Sequence, residues 1–207
     1  MEHVALREYQ KKDTPEVIRI IRETWHYDAF CSPKAAHKLA AVFWYSCLTN
    51  QTYTQVALQG GRPVGVIMGN HIKAHRRPLR YRIKQMKAIV SLYFSAEGRR
   101  VFSIFKGIQE IDQQLLQACK KEYAAELAFF AVSAGARGTG IGKKLFHSLL
   151  EYMKSQNIGD FYLFTDTSCN YGFYEHQGMT RRGKIEKSFP LKGKLEKMEF
   201  YLYDGVL

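Results

Sequence analysis

Seven residues, Arg137-Gly138-Thr139-Gly140-Ile141-Gly142-Lys143, constrain this chain more than any others because of what flanks them. Before them, residues 127–132 (LAFFAV) form a nearly continuous apolar run, the pattern of a strand buried on both faces. After them, apolar spacing predicts an amphipathic helix from about residue 140 to 156. Glycines lack the Cβ that would keep a backbone away from an anion. A helix start adds unpaired N–H groups and the positive end of its dipole. Strand, glycine turn and helix in that order build a cradle for a pyrophosphate. A Walker A loop does not fit, since Lys143 is followed by Lys144 and the glycine spacing differs. A Rossmann fingerprint does not fit either, because the spacing is GxGxG and the strand comes late in the chain.

Periodicity organises the rest. A first strand is expected over residues 3–8, then a helix opened by Asp13 or Thr14 as N-cap with Pro15 in its first turn. Val17, Ile20, Ile21 and Trp25 follow at helical spacing. A second helix follows Ser32-Pro33, and a hairpin joins strands 53–58 and 64–68 through residues 59–63. Residues 71–123 then interrupt the pattern. Between His71 and Ala96 there is no acid, while Lys73, Arg76, Arg77, Arg80, Arg82, Lys84 and Lys87 are basic. Ile83, Met86, Val90 and Tyr93 share one helical stripe, and Ile104, Ile108, Ile111, Leu115 and Cys119 another. The stretch is expected to be an ordered insertion of two or three helices. Beyond the glycine turn and its helix, a buried strand at 161–164 precedes a short helix at about 168–176. Strands at about 180–187 and 195–203 close the chain.

The chain has 207 residues, enough for one domain or one domain with a large insertion. Its 31 Lys and Arg against 19 acids, a formal +12, predict attraction to an anion: nucleic acid, membrane surface or polyphosphate. Cys31, Cys47, Cys119 and Cys169 form no CxxC pair, which argues against structural zinc and a disulfide framework. No apolar run approaches the length of a membrane span, and no signal peptide is expected. A cytoplasmic protein is the expectation.

The loop, read as Arg137-x-x-Gly140-x-Gly142, resembles the [Gln/Arg]-x-x-Gly-x-[Gly/Ala] motif of the GNAT superfamily of N-acetyltransferases. The resemblance runs from Glu126 to about Met179, through ELAFFAV, KKLFHSLLEYM, FYLFTDTS and NYGFYEHQGM. It implies an α/β fold with a mixed, mostly antiparallel central sheet flanked by helices, and acetyl-CoA as co-substrate. Residues 71–123 fall outside the family's usual plan, so the chain is expected to be one such domain carrying a basic helical insertion.

The resemblance also implies roles. Phe130, Ala131 and Val132 would pair with the pantetheine arm. The loop amides of Arg137, Gly138, Thr139, Gly140, Ile141, Gly142 and Lys143 would hold the pyrophosphate. Where the family often has an Asn seven residues before a Tyr, this chain has Thr167, with Asn170 three residues on; either would supply the polar contact. Tyr174 matches the tyrosine that protonates the departing thiolate, and Glu126 stands where similar enzymes carry a base. An alkylamine with a pKa of roughly 10.4 is mostly ammonium at neutral pH, so a base is needed before it can attack.

Other readings stay open here. The acceptor is a small amine or an amine of a protein, and a homodimer is compatible with the sequence. The basic insertion is read first as a solvated helical face with no partner, and it also admits nucleic acid, an acidic protein, an anionic membrane or the coenzyme's 3′-phosphate; a binding module on an inactive fold is the rival function. Cys169 and His176, seven apart, invite a thiol nucleophile, but a buried inert cysteine is the simpler reading. His71 and His75 lack a third ligand for zinc, and no metal is expected.

Overall fold

A computed structural model describes residues 4–29, 31–76, 78–191 and 194–207, with residues 190, 191 and 194 as backbone alone. His3 of the expected first strand, Arg77 of the basic run, and Lys192 and Gly193 of the last turn lie outside the described residues.

Among those residues seven strands form one sheet. They are β1 (Val4–Glu8), β2 (Tyr53–Gln59), β3 (Arg62–His71), β4 (Ala125–Val132), β5 (Asp160–Asp166), β6 (Thr180–Leu191) and β7 (Lys194–Val206). Six helices of the α type accompany them: α1 (Thr14–Thr24), α2 (Pro33–Thr49), α3 (Leu79–Tyr93), α4 (Ala96–Cys119), α5 (Ile141–Ser155) and α6 (Gly172–His176). The strand order is β1-β2-β3-β4-β5-β7-β6. Every neighbouring pair is antiparallel except β4 and β5. A parallel pair needs a crossover, and α5 supplies it. This is the mixed, mostly antiparallel sheet with flanking helices that the sequence predicts.

Local chemistry explains several boundaries. Ser32 caps α2 by accepting from the Ala35 N–H, with Pro33 as the first helical residue. Ser95 caps α4 in the same way through the Gly98 N–H. The Asp13 carboxylate does not cap α1; it accepts from the Gln10 N–H and from both terminal nitrogens of Arg7. The β2–β3 turn is only Gly60-Gly61, with φ of +57° and +78°. Both values suit a tight hairpin turn, so the strands run further than the five-residue connection predicts.

The sheet is covered on both faces. On one, Val17, Ile20 and Ile21 of α1 and Leu39, Trp44 and Leu48 of α2 pack over Val56, Met68 and Phe129. On the other, Leu145, Leu149 and Met153 of α5 meet Ile67, Leu127 and Leu163. Further along, Ile111 and Leu115 of α4 lie against Tyr162, Phe200 and Leu202.

Between β3 and β4 lie α3 and α4, after a short 3₁₀ turn at Ile72–Ala74. The α4 stripe is the buried face its spacing predicts. The α3 stripe is not: Ile83, Met86, Val90 and Tyr93 are 48–53% exposed. This helix packs instead through Tyr81, Ala88, Ile89 and Leu92. It has two apolar arcs, and periodicity cannot say which one a neighbour covers. No helix among the described residues is long and apolar enough to cross a membrane.

Candidate active site

The two parallel strands pair at only two positions, Ala125 with Phe161 and Glu126 with Tyr162. Past them β5 stays with β7 to Asp166, and β4 stays with β3 to Val132. Beyond Glu126 the two strands therefore part, and a V-shaped cleft opens toward their C-terminal ends. A bulge accompanies the parting: Met68 pairs with Phe129 and Gly69 with Leu127, which leaves Ala128 as an extra residue. It also turns Leu127 toward α5 and Phe129 toward α1 and α2. That is why the run LAFFAV has no polar side.

A cavity of about 350 Å³ lies in this cleft, a size suited to a small organic ligand. Phe130, Ala131 and Val132 of β4 line it, together with Arg137, Gly138, Gly140, Gly142 and Lys143. Asn170, Phe173 and Tyr174 line it from the β5 side. The sequence reading thus named most of the wall. It missed Thr24, the last residue of α1, and Ser168, Cys169 and Phe173 as lining groups. The spacing of Phe173 beside Tyr174 was a usable signal; for Thr24 there was none, since only packing brings α1 to the cleft.

Gly138 and Gly140 have φ of +77° and +82°, a region that side chains disfavour. Gly140 is the N-cap of α5, whose first intrahelical bond runs from the Lys144 N–H to the Gly140 carbonyl. The N–H groups of residues 141–143 have no acceptor within the helix. Arg137 folds back so that its Nε donates to the Val132 carbonyl at 3.2 Å. Two predicted loop residues offer no side chain to the cavity. The Thr139 hydroxyl donates to the Ala136 carbonyl at 2.7 Å, and Ile141 is buried in the core beneath.

The segment after β5 differs from the helix predicted at 168–176. The Asp166 carboxylate accepts from the Ser168 N–H at 2.7 Å and so stabilises a turn; α6 begins only at Gly172. Asn170 therefore precedes the helix rather than lying one turn into it, yet it still faces the cavity. Thr167 does not face it. Its hydroxyl accepts from the Glu199 N–H at 3.3 Å, and its own N–H donates to the Glu199 carbonyl, tying the end of β5 to β7.

Tyr174 is buried in the cavity wall. Burial first, and then the nearby Cys169 and Asp166, push its phenol well above the ordinary value, so it stays protonated. Burial and the Asp166 charge likewise push the Cys169 thiol up to about 11. A thiol held in that form is a poor nucleophile. His176 is not among the groups that shift the Cys169 thiol, and its Nδ1 lies 2.6 Å from the Gly172 carbonyl.

Glu126 lies at the closed end of the V and outside the cavity lining. Burial raises its carboxyl, while the Asn50 amide and the Tyr162 hydroxyl act in the opposite direction. The Asn50 Nδ2 donates to Glu126 Oε2, and Asn70 Nδ2 donates to Asn50 Oδ1 at 3.1 Å. Asp112 of α4 belongs to the same neighbourhood. Burial, then the charges of Glu126 and Asp166, push its carboxyl up to about 8.

Comparisons with known proteins agree with this geometry. The sequence model of a family described as "Acetyltransferase (GNAT) family" matches residues 15–179. No curated protein matches the chain. Among solved structures, SsHAT is similar at 15% identity and a TM-score of 0.65, with 98% of each chain covered. A GCN5-related N-acetyltransferase from Kribbella flavida is similar at 15% identity and a TM-score of 0.58, covering 99% of this chain and 98% of that one. The ribosomal-protein-alanine N-acetyltransferase from Brucella melitensis follows at 14% identity and a TM-score of 0.54, with 98% and 99% covered. At such identities the likeness is one of fold.

Proposed function

Since this chain belongs to the GNAT family of acetyltransferases, we propose that it transfers an acetyl group from acetyl-CoA to a primary amine by direct attack. The observation that carries this reading is the parting of β4 and β5 beyond Glu126 and Tyr162, with the first turn of α5 at the wide end. The chain acts as one acetyltransferase domain into which residues 71–123 are inserted.

Acetyl-CoA, when bound, supplies a thioester carbonyl open to an amine. The residues present fit it. Past Glu126 the edge of β4 has no strand beside it, so Phe130, Ala131 and Val132 can hydrogen-bond an amide-bearing pantetheine arm. The free N–H groups at the start of α5, with Arg137 and Lys143, suit a pyrophosphate. Thr139 and Ile141 serve there through their backbone amides alone. Asn170 gives the polar contact to the arm, and Thr167 stays engaged with Glu199.

Tyr174 holds a proton for the departing sulfur. The same burial that keeps the Tyr174 phenol protonated disfavours a thiolate, so a proton has to reach the sulfur as it leaves. Glu126 removes the acceptor's proton through water, since its carboxylate stands outside the cavity lining. A fold that also serves a ribosomal-protein-alanine N-acetyltransferase can present a protein amine as readily as a small one.

Thermal unfolding with and without acetyl-CoA tests the reading, with Gly140→Asp as the control that sets a carboxylate at the helix start. Ligand at 100 times its Kd adds about 2.7 kcal/mol to the native state, and the variant should lose that shift. An unchanged melt of the wild-type protein at millimolar acetyl-CoA would overturn it.

A further inference from the structure

Helix α3 is packed on one side and exposed on the other, where Tyr93 rests edge-on against Phe102 of α4. Opposite the arc that meets α2, Leu79, Ile83, Met86, Val90 and Tyr93 recur at intervals of four, three, four and three residues, and all are 48–70% exposed. Phe94, at the end of the helix, is 85% exposed. At 3.6 residues per turn the five seam residues occupy an arc of only about 80°. That spacing and width are those of a coiled-coil seam, narrower than the apolar face of a helix lying on a broad surface.

Charge flanks the seam on both sides. Arg80 and Lys87 border one edge and Arg82 the other, the positions from which coiled-coil helices choose their partners. None of Lys73, Arg76, Arg80, Arg82, Lys84 and Lys87 forms an ion pair among the described residues. Arg80 and Lys84 turn onto the rings of Tyr81 and Tyr45, which leaves Arg82 and Lys87 beside the seam with no counter-charge.

We propose that this ridge docks an acidic amphipathic helix of a partner protein, one with apolar residues at the seam and Glu or Asp beside it. Charge excludes the alternative of a second copy, which would set Arg80, Arg82 and Lys87 against cations of the same kind. A bilayer surface accounts for the cations but has no need of a four-three register in a narrow arc. Packing against α2 already orders α3, so only the partner helix has to lose freedom on docking.

The test uses the full chain and a fluorescein-labelled synthetic peptide about three heptads long, with Leu at the seam and Glu on both flanks, read by anisotropy. Binding should weaken on the order of tenfold when salt rises from ~50 to ~300 mM. It should vanish in the double variant Ile83→Asp, Val90→Asp, and a peptide with Lys in place of Glu should not bind. Both substituted positions are half-exposed, so the thermal midpoint and its shift with acetyl-CoA should match those of the wild-type protein. Three results would overturn the proposal. One is no binding of the Glu peptide at ~100 µM. Another is equal binding by the double variant or by the Lys peptide. The third is a dimer, or capture by phosphatidylglycerol vesicles, that depends on Ile83 and Val90 and is not displaced by the Glu peptide.

Discussion

Asn50, just past the end of α2, donates a hydrogen bond across 3.2 Å to the carboxylate of Glu126, the second residue of β4. The bond favours the charged form of an acid that burial pushes toward neutrality. As a base Glu126 works only when ionised, so activity rises with pH through its folded value. Asn50→Ala removes a contact that lowers this value, and the acidic limb of the kcat/KM profile should move to higher pH. The loss of activity will then be larger at pH 6 than at pH 8. A limb that stays in place would remove Glu126 from the role of base.

The Tyr174 hydroxyl forms no hydrogen bond to the protein among the described residues, and the residue lines the cavity. Tyr174→Phe therefore deletes a proton donor without orphaning a partner. We expect kcat to fall about 10²–10⁴-fold, with KM and the melting temperature nearly unchanged. A variant with wild-type kcat would exclude Tyr174 as the acid.

Asp112 predicts a stability effect with a definite sign. Its carboxyl is pushed up to about 8 by burial and by its acidic neighbours, so the folded protein holds a proton that the unfolded chain has released. Stability from this group falls as pH rises from the usual carboxylate range toward 8. Asp112→Asn keeps the neutral form at every pH and should raise the melting temperature. We expect a gain of about 1 kcal/mol or more above pH 8, with a shift of about 2–4 °C per kcal/mol for a chain of this size, and a clearly smaller gain at pH 5. Equal effects at both pH values would refute the assignment.

Asp204 behaves in the opposite sense. Burial alone would raise its carboxyl, but hydrogen bonds from Lys121 and Arg182 outweigh burial and hold it below the usual range. The contacts are 3.0 and 2.8 Å, with the Tyr123 hydroxyl at 3.2 Å. Their stabilisation is complete above the unfolded carboxylate range and is lost as pH falls through the lower folded value. Asp204→Ala should cost about 1–3 kcal/mol at pH 7, because both cations keep access to water once released. Urea unfolding at pH 7 and at pH 3 measures this, and the difference between the two proteins should shrink at the lower pH.

Much of this was legible in the sequence because it is local. Glycine at 138 and 140, a serine before a proline at 32–33 and an apolar run at 127–132 each describe a few consecutive residues whose backbone preferences do not depend on distant contacts. These signals place the strands, the helix starts and the glycine turn before α5, and the resemblance to the GNAT family implies the roles proposed for them. The helix expected from about residue 168 begins only at Gly172, because the bond from the Ser168 N–H to the Asp166 carboxylate outweighs helical spacing there.

What tertiary structure alone decided are relations between segments far apart in the chain. The bulge at Ala128 and the parting of β4 from β5 depend on register between strands, which alternation within one strand does not encode. Thr24 reaches the cavity wall, and Asp112 comes within the field of Glu126, only because α1 and α4 pack where they do. Helix α3 shows the limit most plainly. Its sequence determines two apolar arcs, but only the position of α2 leaves the one from Leu79 to Tyr93 in water. Burial is a property of what lies opposite a side chain, and a single chain read in order does not contain it.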